Sequence, residues 1–143
     1  MDLFSVLRKM KILVVDDDEW IRDSLSLYFE NEECSLLALE TAEEAIKLLT
    51  RESFDIIIVD YRLPGMDGLE FLKHIQESCL CAIKILITAY GTDNVISKAK
   101  DFGVVDIINK PFTSDTIEHS LSRLLIKHNQ GSVPNAAEAD MNN

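Results

Sequence analysis

Three consecutive aspartates, Asp16 to Asp18, directly follow an apolar run at residues 12–15. Such a run is typical of a buried strand, and like charges at its end repel one another unless something offsets them. A divalent cation would do so, because Mg2+ prefers oxygen ligands and is commonly held by one or two carboxylates with waters and phosphate oxygens. The alternative is that the carboxylates only begin a helix, where negative charge is favourable.

Asp60, Thr88 and Lys110 also stand at or just after the end of an apolar run. A carboxylate can act as a nucleophile and form an aspartyl-phosphate. A lysine ammonium supplies a compact positive charge, and a hydroxyl can donate to a phosphoryl oxygen. If these side chains meet Asp16 and Asp17, the set is suited to accept and hold one phosphoryl group.

The elements that must position these side chains alternate between strands and helices. Apolar runs predict five strands, and apolar residues spaced by three and four predict five helices. Unbroken Val, Ile and Leu strands are typical of a parallel sheet covered on both faces, so we predict a doubly wound α/β fold. The carboxyl ends of such strands share one edge of the sheet. The predicted strands are 11–16, 35–39, 54–59, 83–87 and 104–108, and the helices are 19–31, 42–49, 68–75, 92–102 and one from 113 or 114 onward.

Composition argues against several classes of function. The net charge of −11 disfavours binding to nucleic acid and to anionic membranes. No apolar stretch reaches the ~20 residues of a membrane helix, and the first ten residues do not resemble a signal peptide. The three cysteines are an odd number without a zinc-ligand pattern. We therefore predict a cytoplasmic protein that contacts neither nucleic acid nor membrane.

Length and composition predict one domain with short flanking segments. We interpret residues 1–10 as an N-terminal extension and residues 11–128 as the domain. Residues 129–143 are poor in apolar residues and are interpreted as a flexible tail or linker.

Four motifs stand at the predicted strand ends, in order along the chain: ILVVDDD at 12–18, IIIVDYRLPGMDGLEFL at 56–72, ILITAYG at 85–91 and NKPF at 109–112. Through these motifs the chain resembles the receiver domain of bacterial two-component response regulators over residues 11–127. The resemblance implies a flavodoxin-like (βα)5 three-layer sandwich. It also implies a phosphoacceptor of a phosphorelay, which receives its phosphoryl group from a histidine kinase or a histidine phosphotransfer protein. Such a domain turns over no separate substrate, so we do not predict an enzyme in the usual sense.

The same resemblance implies a phosphoacceptor with a bound metal ion. Asp60 would accept the phosphoryl group. Asp16, Asp17, Asp60 and the backbone carbonyl of Arg62 would bind Mg2+. Asp18 has no implied role in the chemistry, and we expect it to begin a helix.

Further roles concern the switch between two states. Thr88 would move toward the phosphoryl group, and Lys110 would pair with that group. The Lys110–Pro111 peptide bond would be cis. Many receivers carry Tyr or Phe where this chain has Ile107, so we predict that activation is read mainly through Thr88 and the loop and helix after it.

Trp20 and Leu27 share one side of the first predicted helix, through which family members meet their kinase or phosphotransfer partner. We therefore predict that these two side chains belong to a partner-docking patch. The alternative is buried packing at the edge of the domain, since tryptophan is usually well buried.

Other functions and assemblies stay open from the sequence alone. A phosphatase-like enzyme with an aspartate nucleophile would typically carry a second aspartate at the position of Arg62. A flavodoxin-type cofactor carrier would need a hydroxyl-rich loop after the first strand, where this chain is acidic. The downstream effector is unknown, and the resemblance allows a phosphorylation-dependent homodimer.

Overall fold

The structure is a computed structural model that describes residues 2–131, with side chains described through residue 126. Within that part of the chain, five parallel strands form one sheet in the order β2-β1-β3-β4-β5, and six helices cover it. The strands are β1 (Lys11–Val15), β2 (Ser35–Leu39), β3 (Ile56–Asp60), β4 (Ile83–Thr88) and β5 (Val104–Asn109). The helices are α1 (Leu3–Leu7), α2 (Glu19–Asn31), α3 (Ala42–Leu49), α4 (Gly68–Ile75), α5 (Asp93–Asp101) and α6 (Ser114–Gly131).

The two faces of the sheet carry separate halves of the core, as the unbroken apolar strands predict. Along β1, Leu13 and Val15 pack into the layer that includes α3, α4 and α5. Ile12 and Val14 point the other way, into the layer that includes α1, α2 and α6. This arrangement confirms the doubly wound α/β fold.

Side-chain caps fix where the helices begin. Asp18 accepts hydrogen bonds from the backbone N–H groups of Trp20 and Ile21 at the start of α2, as predicted. Thr92, the first residue of the helix predicted at 92–102, caps α5 by accepting from the backbone N–H of Val95. Such caps satisfy N–H groups that have no partner within the helix, so they set the direction in which the chain leaves each strand.

Helix α1 departs from the sequence prediction, which interprets residues 1–10 only as an extension. Leu3 and Leu7 are buried in the layer with α2 and α6. Phe4 packs edge-on against Tyr28 of α2, with ring centroids 6.3 Å apart. Arg8 donates to the carbonyl of Glu32 at 3.0 Å. The segment before β1 therefore contributes to the core.

The other end of the domain also differs slightly from the prediction. Helix α6 runs to Gly131, three residues beyond the predicted boundary at 128. The rest of the predicted tail, residues 132–143, lies outside the described residues. No helix in the described chain is both long enough and apolar enough to cross a bilayer.

Candidate functional site

Asp16, Asp17 and Asp60 converge at the carboxyl edge of the sheet. Strands β1 and β3 are parallel neighbours, with Val15 paired to Val59, so the residues after each strand come close together. One carboxylate oxygen from each aspartate lies within 4.8 Å of the others. Asp16 and Asp60 are buried, whereas Asp17 is exposed. The strand order reverses between β1 and β3, which is where open α/β sheets place their binding sites.

Lys110 reaches this cluster from the loop after β5. Its Nζ lies 3.2 Å from Oδ2 of Asp60 and 3.5 Å from Oδ2 of Asp16. The backbone N–H of Lys110 donates to the carbonyl of Thr88 at 2.9 Å, which ties the loop to the end of β4. The Lys110–Pro111 peptide bond is cis, as the resemblance implied. One ammonium therefore faces two buried carboxylates.

Burial dominates the protonation of this cluster. Burial and the neighbouring charge of Asp16 raise the pKa of Asp60 to about 6, although Lys110 opposes the shift. Burial also raises the pKa of Asp16. For Lys110, burial alone would lower the pKa, but the charges of Asp16 and Asp60 outweigh it and the pKa is raised. The carboxylates carry more repulsion and desolvation than one lysine offsets.

The hydrogen bonds of Asp16 leave one oxygen without a partner. Oδ1 accepts from the backbone N–H of Asp18 at 2.9 Å, and the main-chain carbonyl accepts from Nη1 of Arg22 at 2.8 Å. Oδ2 is buried and has no hydrogen-bond partner, and the ammonium of Lys110 faces it only at 3.5 Å. Buried polar atoms are nearly always satisfied, so a carboxylate oxygen with only this long ion pair, beside two further carboxylates, fits a bound cation.

Thr88 and Ile107 occupy adjacent strands on the same side of the site. Thr88 is fully buried, and its Oγ1 accepts from the backbone N–H of Tyr90 at 2.9 Å. Ile107 is partly buried against the core layer that contains α3, α4 and α5. An aliphatic side chain there has no hydroxyl to expose or bury, in keeping with the predicted departure from an aromatic switch.

The loop after β3 covers the site from one side. Asp17, Arg62 and Asp67 are among the residues that line a cavity of about 440 Å³ beside the cluster. The guanidinium of Arg62 lies 4.8 Å from the centre of the Tyr90 ring, so side chains from the loops after β3 and β4 stack on each other. Asp67 caps α4 through a reciprocal bond pattern with Glu70.

Comparison with known proteins identifies the family. The model for the response regulator receiver domain matches residues 12–122. The chain belongs to the response regulator receiver family. Receiver domains are signalling modules of two-component systems, and members of the family interact with histidine kinases or phosphotransfer proteins.

Individual relatives agree with this assignment. The receiver is 33% identical over 115 residues to sporulation initiation phosphotransferase F of Bacillus subtilis, covering 80% of this chain and 93% of that protein. It is similar to a CheY-like receiver domain protein from Methanospirillum hungatei, with a TM-score of 0.79 and 26% identity over 85% of this chain and 97% of that one. It is also similar to the beryllofluoride-activated NtrC4 receiver domain dimer, with a TM-score of 0.75 and 30% identity over 82% and 98%.

Other curated relatives are much longer proteins. The receiver spans between 22% and 52% of their length. They include transcriptional regulators and a cyclic di-GMP phosphodiesterase, so the domains joined to a receiver differ among them.

Trp20 and Leu27 lie on the surface of the receiver, not in its core. Trp20 is 79% exposed and Leu27 is 59% exposed, so neither is buried at an edge of the domain among the described residues. Both line a groove of about 460 Å³ between α2 and the start of α6, together with Tyr28 and Phe112. Isolated exposed apolar residues are common, but these two adjoin a concave apolar surface.

Sequence reasoning missed residues that act on the site through the backbone. Arg22 contacts the carbonyl of Asp16, and Glu43 of α3 accepts from the backbone N–H of Met66 at 3.1 Å in the loop after β3. Neither stands at a strand end. Their only sequence signal is a charged residue in the first two turns of a helix that comes after a strand.

Proposed function

We propose that this receiver accepts a phosphoryl group on Asp60 from a histidine kinase or a histidine phosphotransfer protein. In this step an Oδ of Asp60 forms a bond to phosphorus while the bond between phosphorus and the donor histidine nitrogen breaks. The nitrogen keeps the electron pair of that bond, and the donor ring, protonated on its other nitrogen before transfer, leaves as neutral imidazole. The observation that carries the proposal is the meeting of three carboxylates and Lys110 at one sheet edge.

The proposed site includes Mg2+ held by Asp16, Asp17, Asp60 and the backbone carbonyl of Arg62. Oδ2 of Asp16, which has no hydrogen-bond partner, and the raised pKa of Asp60 support this part, because both indicate that Lys110 alone does not compensate the negative charge of the cluster. A bound magnesium ion would offset carboxylate repulsion and neutralise phosphoryl oxygens. The other roles in the proposed chemistry are assigned to Lys110 and Thr88.

Lys110 and Thr88 are proposed to hold the phosphoryl group after transfer. The ammonium of Lys110, 3.2 Å from Asp60, would exchange its carboxylate partners for a phosphoryl oxygen. The hydroxyl of Thr88 would turn from the Tyr90 N–H to donate to another oxygen. Movement of Thr88 would pull on the loop that leads into α5. Ile107 would respond by repacking without a polar tip.

The proposed output is a changed protein surface and not a metabolite. We propose that the receiver turns over no separate substrate and binds no nucleic acid itself. Its downstream effector is unknown, and a homodimer of the phosphorylated form has precedent in the NtrC4 receiver dimer. All three cysteines are free thiols, which agrees with the proposed cytoplasmic location.

Docking of the phosphoryl donor is proposed at the groove beside α2. Trp20 and Leu27 supply exposed apolar area on α2, the helix that follows Asp16 and Asp17 in the chain, and the same groove includes Phe112, two residues after Lys110. Large aromatic side chains at such surfaces often carry a major share of binding energy.

Intact-mass measurement after incubation with acetyl phosphate and Mg2+ tests the proposed chemistry without the unidentified kinase. We expect one added phosphoryl group in the wild type and none in Asp60→Asn. Asp55→Asn is a matched control, because Asp55 is exposed at the amino end of the same strand. Phosphorylation that persists in Asp60→Asn, or that is undiminished by EDTA, would refute the proposed site.

A further inference from the structure

Arg22 braces the loop between β1 and α2. Its Nη1 donates to the main-chain carbonyl of Asp16 at 2.8 Å, and the side chain is partly buried. The same loop is closed by the bond from the Asp18 N–H to Oδ1 of Asp16. The guanidinium contacts the backbone and not the carboxylate, so Oδ2 of Asp16, which makes no hydrogen bond and faces Lys110 at 3.5 Å, can still bind a cation.

Glu43 braces the loop between β3 and α4. Its Oε2 accepts from the N–H of Met66 at 3.1 Å. Gly65 has a φ of +74°, and a Cβ placed there would lie 2.7 Å from the same oxygen. The carboxylate is thus packed directly against the backbone of the loop that contains Arg62.

We propose that Arg22 and Glu43 are positioning residues that fix these two loops in the geometry Mg2+ requires. The proposal rests on the metal site of the proposed function, since one loop presents Asp16 and Asp17 and the other presents the Arg62 carbonyl. Mg2+ demands nearly ideal octahedral geometry, so loops that move by fractions of an ångström bind it less well. Groups that orient metal ligands often change affinity 10- to 100-fold when they are removed.

Arg22 and Glu43 carry opposite charges. Their substitution therefore distinguishes positioning of the two loops from a purely electrostatic effect on Mg2+ binding. If only charge mattered, loss of the Arg22 cation would tighten Mg2+ binding, and loss of the Glu43 anion would weaken it. Bracing predicts that loss of either hydrogen bond weakens binding. Arg22 therefore gives opposite signs under the two explanations.

Calorimetric titration of the full chain with MgCl2 provides the test. We expect Arg22→Met and Glu43→Ala to weaken Mg2+ binding about three- to tenfold. Glu43→Gln should stay within about twofold of wild type, because its amide oxygen can still accept from Met66. Controls of equal charge are Arg51→Met, at the amino end of the sheet, and Glu40→Ala, directly after β2.

Unchanged or tighter binding in Arg22→Met overturns the role of Arg22. Glu43→Ala no weaker than Glu40→Ala overturns the role of Glu43. If Arg22→Met does not fold, judged by its melting in EDTA, Arg22→Lys replaces it and should bind Mg2+ more weakly than wild type through loss of the guanidinium geometry. A wild type that binds no Mg2+ refutes the proposed metal site, whereas a wild type that binds it as tightly as every variant refutes only the bracing.

Discussion

Two lysines lie at opposite ends of the sheet, and burial affects them in opposite ways. Lys84, near the start of β4, is 3% exposed, and its Nζ donates to the carbonyl of Cys79 at 2.6 Å. Burial lowers its pKa, although Cys79 and Cys81 oppose the shift. Lys110 faces two carboxylates at the other end, and its pKa is raised. The charges of Asp16 and Asp60 outweigh the cost of burying Lys110, whereas the surroundings of Lys84 offset that cost only in part.

Lys84 is a buried charge of the scaffold, whereas Lys110 is a buried charge of the proposed site. A lysine stem of four carbons fills apolar space well, so Lys84 can be tolerated wherever its ammonium reaches one good acceptor. Lys110 instead completes a cluster in which three carboxylates crowd together. Convergence of opposite charges, and not burial alone, distinguishes the functional end of the sheet.

The largest expected difference between the two lysines is in the rate of phosphorylation. Lys110→Met should slow phosphorylation of Asp60 by acetyl phosphate about 100-fold, because it removes a preorganised charge from the transferring group. Lys84→Met should change the rate less than about twofold. Time courses of intact mass would measure both, and similar rates in the two variants would contradict the distinction.

The next largest expected effect is that of Asp60→Asn on the free energy of unfolding without Mg2+. The pKa of Asp60 is raised to about 6 in the folded state, so the folded protein binds more protons than the unfolded chain between about pH 4 and 6. Stability from this group is present at low pH and lost as pH rises through 6. Asp60→Asn should therefore gain roughly 1 to 3 kcal/mol at pH 7.5 and almost nothing at pH 4.

Denaturant unfolding of wild type and Asp60→Asn across this pH range in EDTA measures that gain. Asp106→Asn is the control, because the Asp106 carboxylate accepts from Ser120 and Arg123 and its removal should not stabilise the protein. A gain for Asp60→Asn that does not change with pH would contradict the assigned cause.

The sequence predicted the carboxyl end of the sheet better than the rest of the molecule. Asp16, Asp60 and Lys110 each stand at the end of a strand, and parallel topology alone brings such residues to one edge. Helix α1 was missed because five residues are too few to show helical periodicity, and its stability depends on burying Leu3 and Leu7 between distant helices. The buried position of Lys84 was equally hidden, since its acceptor is a backbone carbonyl that no residue type signals.

Added Mg2+ should offset the repulsion among the three carboxylates at the carboxyl end of the sheet and leave the amino end unaffected. At ten times its Kd, a ligand that binds the folded state alone adds about 1.4 kcal/mol to the free energy of unfolding. We expect this gain in the wild type and in Lys84→Met, and a smaller one in Asp60→Asn. Melting curves with and without Mg2+ measure it, and an unchanged melting temperature at millimolar Mg2+ would count against the metal site.

Removal of the buried charge of Lys84, at the amino end of the sheet, should raise the free energy of unfolding slightly. In the folded state the pKa of Lys84 is lowered, so the unfolded chain binds more protons and the penalty is present at neutral pH. Lys84→Met should gain about 1 kcal/mol at pH 7, and the gain should shrink as pH approaches 10. The Cys79 carbonyl stays satisfied, because the Ala82 N–H also donates to it. A loss of stability at pH 7, measured by denaturant unfolding, would show that the ammonium is favourably placed.

The smallest expected effect concerns the access of water to phosphorylated Asp60 at the carboxyl end of the sheet. Arg62 and Tyr90, each two residues after a strand end, stack with 4.8 Å from guanidinium to ring centre, whereas Lys84 is enclosed by the protein. The stacked pair should hinder the in-line approach of water to phosphorylated Asp60. Loss of phosphate, monitored by intact mass, should be about threefold faster in the double variant Arg62→Ala/Tyr90→Ala. Since exposed stacking is worth only about 0.5–1 kcal/mol, the pair shields the site part of the time and a larger effect is not expected. Equal or slower loss in the double variant would mean that both side chains extend into solvent in the phosphorylated protein.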